Sequence, residues 1–166
     1  MKERDIANFV MPLYNDNKDS MHNFKHILRI KKKIILLKKP YKKINEEKLR
    51  LLIYFHGLKD WVNSNNKIFF KLGFSKNDIL LINRHTKNPK TIEEKLIYDA
   101  NLLENVGKFG IKKALIVGGE LGRTKNETIN YISTNLKKVK FYTIIGKKLG
   151  NEEIKITKEF IKHGKI

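Results

Sequence analysis

Four of the five histidines in the chain occupy settings that suit metal coordination. Each lies in an apolar segment with helical spacing, and the four are His22 and His26 in DSMHNFKHILRI, His56 in LLIYFHGLKDW and His85 in LLINRHTKNP. Asp99 in KLIYDANLLEN adds a carboxylate on another such segment. Imidazole and carboxylate are the usual ligands of Zn, Mn, Fe, Co and Ni in proteins. The sequence therefore predicts a metal site built from several helices.

Apolar residues recur with helical periodicity along almost the whole chain, so the expected fold is all-α. The predicted helices cover about residues 2–14, 20–39, 45–60, 63–74, 75–85, 91–105, 111–117, 124–149 and 151 onward. Capping boxes, which satisfy free backbone N–H groups at helix starts, are predicted at Ser75–Asp78, Thr91–Glu94 and Thr124–Glu127. Only KALIVGG also fits a strand. With 166 residues, we expect a single domain over residues 1–166, with its core over about 15–165.

His26, His56 and Asp99 lie on three different predicted helices. A shared metal ion would require these helices to converge in the core, as helical bundles often arrange. A lone histidine on an apolar helix is more often a hydrogen-bonded core residue. The predicted metal site therefore depends on the three residues occurring together.

Composition narrows the classes of function. The chain has no cysteine, which excludes disulfides, thiolate zinc sites and cysteine nucleophiles. Its net charge of +19 would attract phosphate-bearing ligands. The basic residues are overwhelmingly lysine, and base-specific readout relies on arginine, so nucleic acid is a less favoured partner than a small phosphorylated molecule. No stretch reaches the length of a membrane span and no signal peptide is visible, so we expect a cytoplasmic protein without a membrane partner.

Together these segments resemble the HD-domain metal-dependent phosphohydrolases. The opening motif of that family, a histidine followed by arginine and an aliphatic residue, is matched by His26, Arg29 and Ile30, with Asp19 and His22 matching an extended form. LLIYFHGLKDW is similar to the helix that ends in the His-Asp doublet of the family. The closing region is matched by His85, Glu94, Asp99, Ala100, Leu103 and Gly107, and FYTIIGKKL with KEFI is similar to the carboxy-terminal helices.

The resemblance implies an all-α HD-like bundle, a divalent metal (Mn, Mg, Co, Ni, Fe or Zn) and hydrolysis of phosphate esters, often in nucleotides. The metal ligands implied are His26, His56 and Asp99. His22 and His85 would contact the substrate phosphate or a second metal. Arg29 would neutralise substrate charge.

The chain departs from the family pattern at the doublet, because Gly57 follows His56 where the family has aspartate. Asn23 and Asn101 also stand at positions that are usually acidic. Asp60 lies four residues after His56 on the same face of the predicted helix, so it could chelate the metal or activate water; the alternative is an ordinary exposed acid near the helix end. Two functions stay open: a metal-dependent phosphohydrolase, and a catalytically inactive HD-fold protein that binds an anion such as a nucleotide or RNA.

Overall fold

The computed structural model describes residues 2–15 and 19–164, and within these ranges every regular element is an α-helix. In chain order the helices are α1 (Glu3–Asn15), α2 (Phe24–Leu37), α3 (Glu46–Phe55), α4 (Lys59–Ser64), α5 (Asn66–Lys71), α6 (Lys76–Arg84), α7 (Ile92–Leu102), α8 (Gly107–Glu120), α9 (Lys125–Leu136) and α10 (Ile144–His163). The predicted all-α fold is confirmed, and KALIVGG is helical within α8. The predicted domain ends, residues 1 and 166, lie outside the described residues.

Local sequence signals set several helix starts as predicted. All three capping boxes are present, with hydrogen bonds in both directions between the N-cap residue and the acid three positions later; they are Ser75–Asp78, Thr91–Glu94 and Thr124–Glu127. Each box satisfies backbone donors that a helix start otherwise leaves without partners.

The boundaries near the carboxy terminus differ from those predicted. The helix expected to run to residue 149 ends at Leu136, and α10 is continuous from Ile144 to His163. Gly150 is a packing position inside α10 and not a helix break, because a Cβ atom there would collide with the ring of Phe141. Glycine at this position permits a close approach that the sequence pattern alone does not reveal.

The core lies where α2, α3 and α7 pack against one another. Helix α3 is buried on almost every face, as expected for the central helix, and its apolar residues are joined by Ile27 and Ile30 of α2 and by Leu96 and Ile97 of α7. A smaller apolar cluster joins α8, α9 and α10. Helices α2 and α3, which carry His26 and end at His56, therefore belong to this core.

Among the described residues, no helix combines the length and the apolar character that crossing a bilayer would require.

Candidate functional site

The four predicted site histidines form one row, which we call the imidazole row: His22, His26, His56 and His85. Adjacent ring centroids are 5.7, 5.1 and 6.2 Å apart along the row. His22 lies just before α2 with a half-exposed side chain, whereas the other three residues are buried. His26 lies on α2, and His56 and His85 are the C-cap residues of α3 and α6. The structure thus brings together histidines from three helices.

Hydrogen bonds determine which nitrogen of each central ring carries the proton. His26 Nδ1 is 2.9 Å from Glu104 Oε2, and a carboxylate only accepts, so this nitrogen donates. His56 Nδ1 is 3.0 Å from the carbonyl oxygen of Ile53, so it donates as well. In the neutral rings, both Nε2 atoms therefore carry lone pairs. These two atoms face each other at 3.0 Å.

Burial disfavours the charged form of both rings. Burial lowers the pKa of His26, although the hydrogen bond to Glu104 acts in the opposite direction. Burial, with the neighbouring His26 and His85, lowers the pKa of His56 to about 3. Two facing lone pairs have no hydrogen to share, so a cation between them would relieve their repulsion. Their separation also suits neighbouring ligand atoms on one ion with bonds of about 2.1 Å. The donor chemistry of this pair fits a transition-metal ion.

Glu104 is a site residue that the sequence reasoning missed. Its carboxylate is fully buried and accepts from His26 Nδ1, from Arg29 Nε at 3.0 Å and from Lys33 Nζ at 3.2 Å. Burial alone would raise the pKa of Glu104, but the hydrogen bond from His26 and the charges of Lys33 and Arg29 outweigh it and lower the pKa to about 2. The signal available in the sequence was a single acid inside the apolar segment LLENV.

Arg29 is held by this carboxylate. Its Nε donates to both oxygens of Glu104, a terminal nitrogen donates to the Met21 carbonyl at 3.1 Å, and the guanidinium lies 5.1 Å from the centre of the Phe109 ring. The observed partner of Arg29 is therefore Glu104, and its contact with substrate stays a prediction.

Asp99 lies in a different environment from the imidazole row. Its buried carboxylate accepts from the backbone N–H groups of Tyr142 (3.0 Å) and Thr143 (2.7 Å) and from the Thr143 hydroxyl (2.6 Å). Burial raises the pKa of Asp99, and these hydrogen bonds oppose the rise. A Cβ atom on Gly146 would also collide with this carboxylate. Asp99 thus joins α7 to the start of α10.

The sequence predicted that His26, His56 and Asp99 surround one metal ion, but the structure does not bring these three side chains together. Across residues 2–15 and 19–164, no three histidine, aspartate or glutamate side chains are arranged to hold a metal. The backbone N–H groups that precede α10 hold the Asp99 carboxylate and so compete with a metal ion for it. Helical periodicity in the sequence could not reveal these donors.

The prediction that Asp60 shares a helix with His56 is wrong. Helix α3 ends at Phe55, and α4 begins at Lys59, so the i, i+4 relationship does not apply. Asp60 is exposed in the first turn of α4, whereas His56 is buried.

Tyr14 fills the space beside Gly57. A Cβ atom on Gly57 would lie 3.0 Å from Cε1 and 3.1 Å from the hydroxyl oxygen of Tyr14. That hydroxyl accepts from the Gly57 N–H at 3.1 Å and donates to the Tyr54 carbonyl at 3.1 Å. An aromatic ring from α1 therefore lies in tight contact with the position at which a side chain at residue 57 would begin.

A cavity of about 330 Å³ opens beside the row, and we call it the basic cavity. Its lining includes His22, Lys113, Arg123 and Lys138, together with Tyr98 and Tyr131, and it has no carboxylate among the described residues. Lys113 is almost fully buried, and its Nζ donates to Asn105 Oδ1 at 3.2 Å. Burial lowers the pKa of Lys113. His22 belongs to both features and so links the cavity to the imidazole row.

No protein-family model matches the chain, and no curated protein matches it. Solved structures do match in fold. The crystal structure of Bacillus subtilis YpgQ in complex with ADP has a TM-score of 0.72 at 17% identity, covering 97% of this chain and 94% of that one. An HD-superfamily hydrolase from Bacillus thuringiensis has a TM-score of 0.72 at 21% identity, covering 96% and 93%. A protein from Lactobacillus plantarum has a TM-score of 0.77 at 17% identity, also covering 96% and 93%.

At these identities the similarity establishes the fold alone. The predicted HD-like helical architecture is confirmed, since an HD-superfamily hydrolase aligns over nearly the whole of both chains.

Proposed function

We propose that the chain is a divalent-metal-dependent phosphohydrolase that acts on a small phosphorylated molecule such as a nucleotide. The observation that carries this proposal is the pair of buried Nε2 atoms of His26 and His56, which face each other at 3.0 Å, with His22, the neighbour of His26, lining a basic cavity. The pair offers two lone pairs to a cation, and the cavity offers positive charge to a phosphate.

His26 and His56 would hold the ion. A bound divalent ion lowers the pKa of coordinated water and polarises a phosphoryl oxygen, which is the chemistry that phosphate-ester hydrolysis requires. The chain contributes the orientation of its ligands: Glu104 fixes the His26 ring through Nδ1, and the Ile53 carbonyl fixes the His56 ring in the same way. Such partners hold a ligand ring in its metal-binding tautomer.

The basic cavity would bind the substrate. Lys113, Arg123 and Lys138 supply charge that complements a phosphate group. The rings of Tyr98 and Tyr131 give the same cavity an aromatic surface suited to a nucleobase. The ADP bound by YpgQ, a protein of the same fold, supports a nucleotide as the first class of ligand to examine.

Phosphate release tests the proposal. The purified full chain, supplied separately with Mn, Co, Ni, Zn or Mg, is incubated with nucleoside phosphates and sugar phosphates, and inorganic phosphate is measured. We expect release with at least one metal, loss of release in His26→Ala, and retention in His163→Ala, a control at an exposed histidine. Absence of release from a protein that binds metal would contradict the proposal.

A second function, anion binding without turnover, is favoured by one specific observation. Asp99, the predicted carboxylate ligand, is held at the start of α10, and Gly57 has no side chain at the position where the family has aspartate. In that case ADP binding, measured by calorimetry, would be unchanged by a chelator and would weaken with salt. In both cases Lys113→Met should weaken ADP binding about tenfold, whereas the exposed Lys158→Met should not.

A further inference from the structure

The aromatic surface of the basic cavity continues beyond the cavity itself. Tyr98 of α7 lines the cavity, and its ring centroid lies 5.2 Å from that of Tyr142, with the planes at 84°. Tyr142 does not line the cavity. The Nζ atom of Lys140 lies 5.4 Å from the centre of the Tyr142 ring. These three side chains, which we call the tyrosine strip, extend from the cavity onto the neighbouring surface.

A second aromatic wall of the cavity comes from α9. The guanidinium carbon of Arg123 lies 4.5 Å from the centre of the half-exposed Tyr131 ring, and both residues line the cavity. A ring with a guanidinium stacked on it offers a flat surface on which a base can stack. The cavity volume of about 330 Å³ is close to the lower end of the range of about 300 to 1,000 Å³ for ligand pockets, so it has room for a single nucleotide.

The linker between α9 and α10 places cations along the tyrosine strip. Residues 137–143, KKVKFYT, contain three lysines and no acid. Lys138 lines the cavity and Lys140 lies outside it over the Tyr142 ring, and both are exposed. Proteins that bind single-stranded nucleic acid combine stacking rings with cations that follow the phosphates in this way. The linker therefore continues the charge of the cavity to the position of a second nucleotide.

Asp99 holds the two rings of the strip in place. It directly follows Tyr98 in α7, and its buried carboxylate accepts from the Tyr142 N–H at 3.0 Å. The backbones of both tyrosines are thus fixed by one residue before any ligand arrives. A surface that is already ordered loses less conformational freedom on binding, which favours affinity.

We propose that the chain binds a single-stranded oligonucleotide, with one nucleotide in the basic cavity and the next base stacked on Tyr142. The inference rests on the proposed nucleotide site of the cavity and names its substrate class, a strand of two or more nucleotides. Scarce arginine made nucleic acid a less favoured partner in the sequence, because arginine reads bases. Stacking on tyrosine and phosphate contacts from lysine do not require it.

Two ligands that differ by one nucleoside test the proposal. ADP and the 5′-phosphorylated diadenylate pApA share the first base and carry similar charge, so a difference in affinity reports the second nucleoside. Calorimetry with the purified full chain measures both, with a chelator present so that neither ligand is hydrolysed. We expect pApA to bind about tenfold more tightly than ADP.

Variants of the strip locate the second base. Tyr142→Leu should weaken pApA binding about tenfold and leave ADP binding within twofold of wild type. Lys140→Met should also weaken pApA binding and reduce its dependence on salt, because one phosphate contact is removed. Lys67→Met, at an exposed position on α5, is the control and should change neither affinity. A loss confined to the longer ligand distinguishes a binding role from a general defect in folding, which would weaken both.

The outcomes separate this inference from the proposed function. Equal affinity of the wild type for ADP and pApA, or equal losses for both ligands in Tyr142→Leu, would overturn the oligonucleotide site and leave the proposed function. Tighter binding of pApA without phosphate release in the presence of any of the metals would overturn the proposed function and leave the oligonucleotide site. Absence of binding by either ligand would overturn the oligonucleotide site, whereas the proposed function is decided by phosphate release.

Discussion

Glu104 and His26 form a buried pair in which the carboxylate, on the Nδ1 side of the ring, determines that Nε2 faces His56. The two residues are far apart in the sequence, and only the packing of α2 beside the end of α7 brings them together. The acid acts on the candidate metal site without contacting the position that an ion would occupy.

Glu104→Gln should weaken metal binding and leave the fold intact. An amide can still accept from Nδ1, but it no longer balances the charges of Arg29 and Lys33. We expect Co²⁺ affinity to fall about tenfold, as is typical when the partner of a ligating histidine is replaced. Calorimetry measures the change, and Glu159→Gln, at an exposed position, is the matched control. Equal affinities in the two variants would show that Glu104 does not orient His26.

Asp99→Asn should lower stability and leave metal affinity unchanged. The carboxylate accepts three hydrogen bonds at the start of α10, and the amide would place a donor against at least one of those donors. The loss of charge-assisted bonds should reduce the free energy of unfolding by about 2 kcal/mol. Urea denaturation and Co²⁺ titration check the two halves of this prediction. A stable variant with tenfold weaker Co²⁺ binding would restore Asp99 as a ligand.

Ionisation of Glu94 should make the free energy of unfolding depend on pH in the acidic range, below the pH at which carboxylates ordinarily titrate. Burial would raise its pKa, but Arg84 and the Thr91 and Lys90 N–H groups outweigh this and lower it. A carboxylate whose pKa is lower in the folded protein than in the unfolded chain stabilises the fold at pH values above the unfolded pKa of 4.5. This stabilisation is lost as the pH falls toward the pKa of the folded state. Glu94→Gln should therefore be less stable than wild type at pH 7.

The difference in free energy of unfolding between the wild type and Glu94→Gln should shrink as pH falls below 4.5, because the wild-type carboxylate then becomes protonated. Urea denaturation at pH 7, 4.5 and 3 measures it. Glu127→Gln is the comparison, since that acid belongs to an exposed capping box. A difference that stays constant over the whole range would show that ionisation of Glu94 is not the source.

Gly57→Asp should destabilise the fold, because its Cβ atom would meet the ring of Tyr14 at 3.0 Å. Overpacking of this kind costs about 1–3 kcal/mol. Tyr14→Leu should make room, so the cost of Gly57→Asp should be smaller in that background, as a double-mutant cycle measures. Independent, additive effects of the two substitutions would show that the ring does not limit position 57.

Features encoded by neighbouring residues were predictable from the sequence. The periodicity of α3 and the capping box of Thr91 and Glu94 depend on residues a few positions apart, and both are present. His26 and His56 were predicted to converge and do so. The motifs indicated helices of the right kind in the right order, which is why the HD-like architecture could be anticipated.

Features that depend on distant partners were not predictable in this way. Asp99 has helical spacing that suits a ligand, but the N–H groups of Tyr142 and Thr143 compete for its carboxylate. Glu104 gains its role only when α2 packs beside it. The early end of α3 separates Asp60 from His56, and a pattern in the sequence places helix ends only approximately.

The basic cavity is walled partly by Thr157 of α10, whose hydroxyl accepts from the Gly107 N–H at 2.7 Å, and α10 is joined to α7 through Asp99. A nascent polypeptide that has emerged from the ribosome only as far as α9 lacks this wall. Binding of the proposed ligand should therefore begin only after α10 has docked.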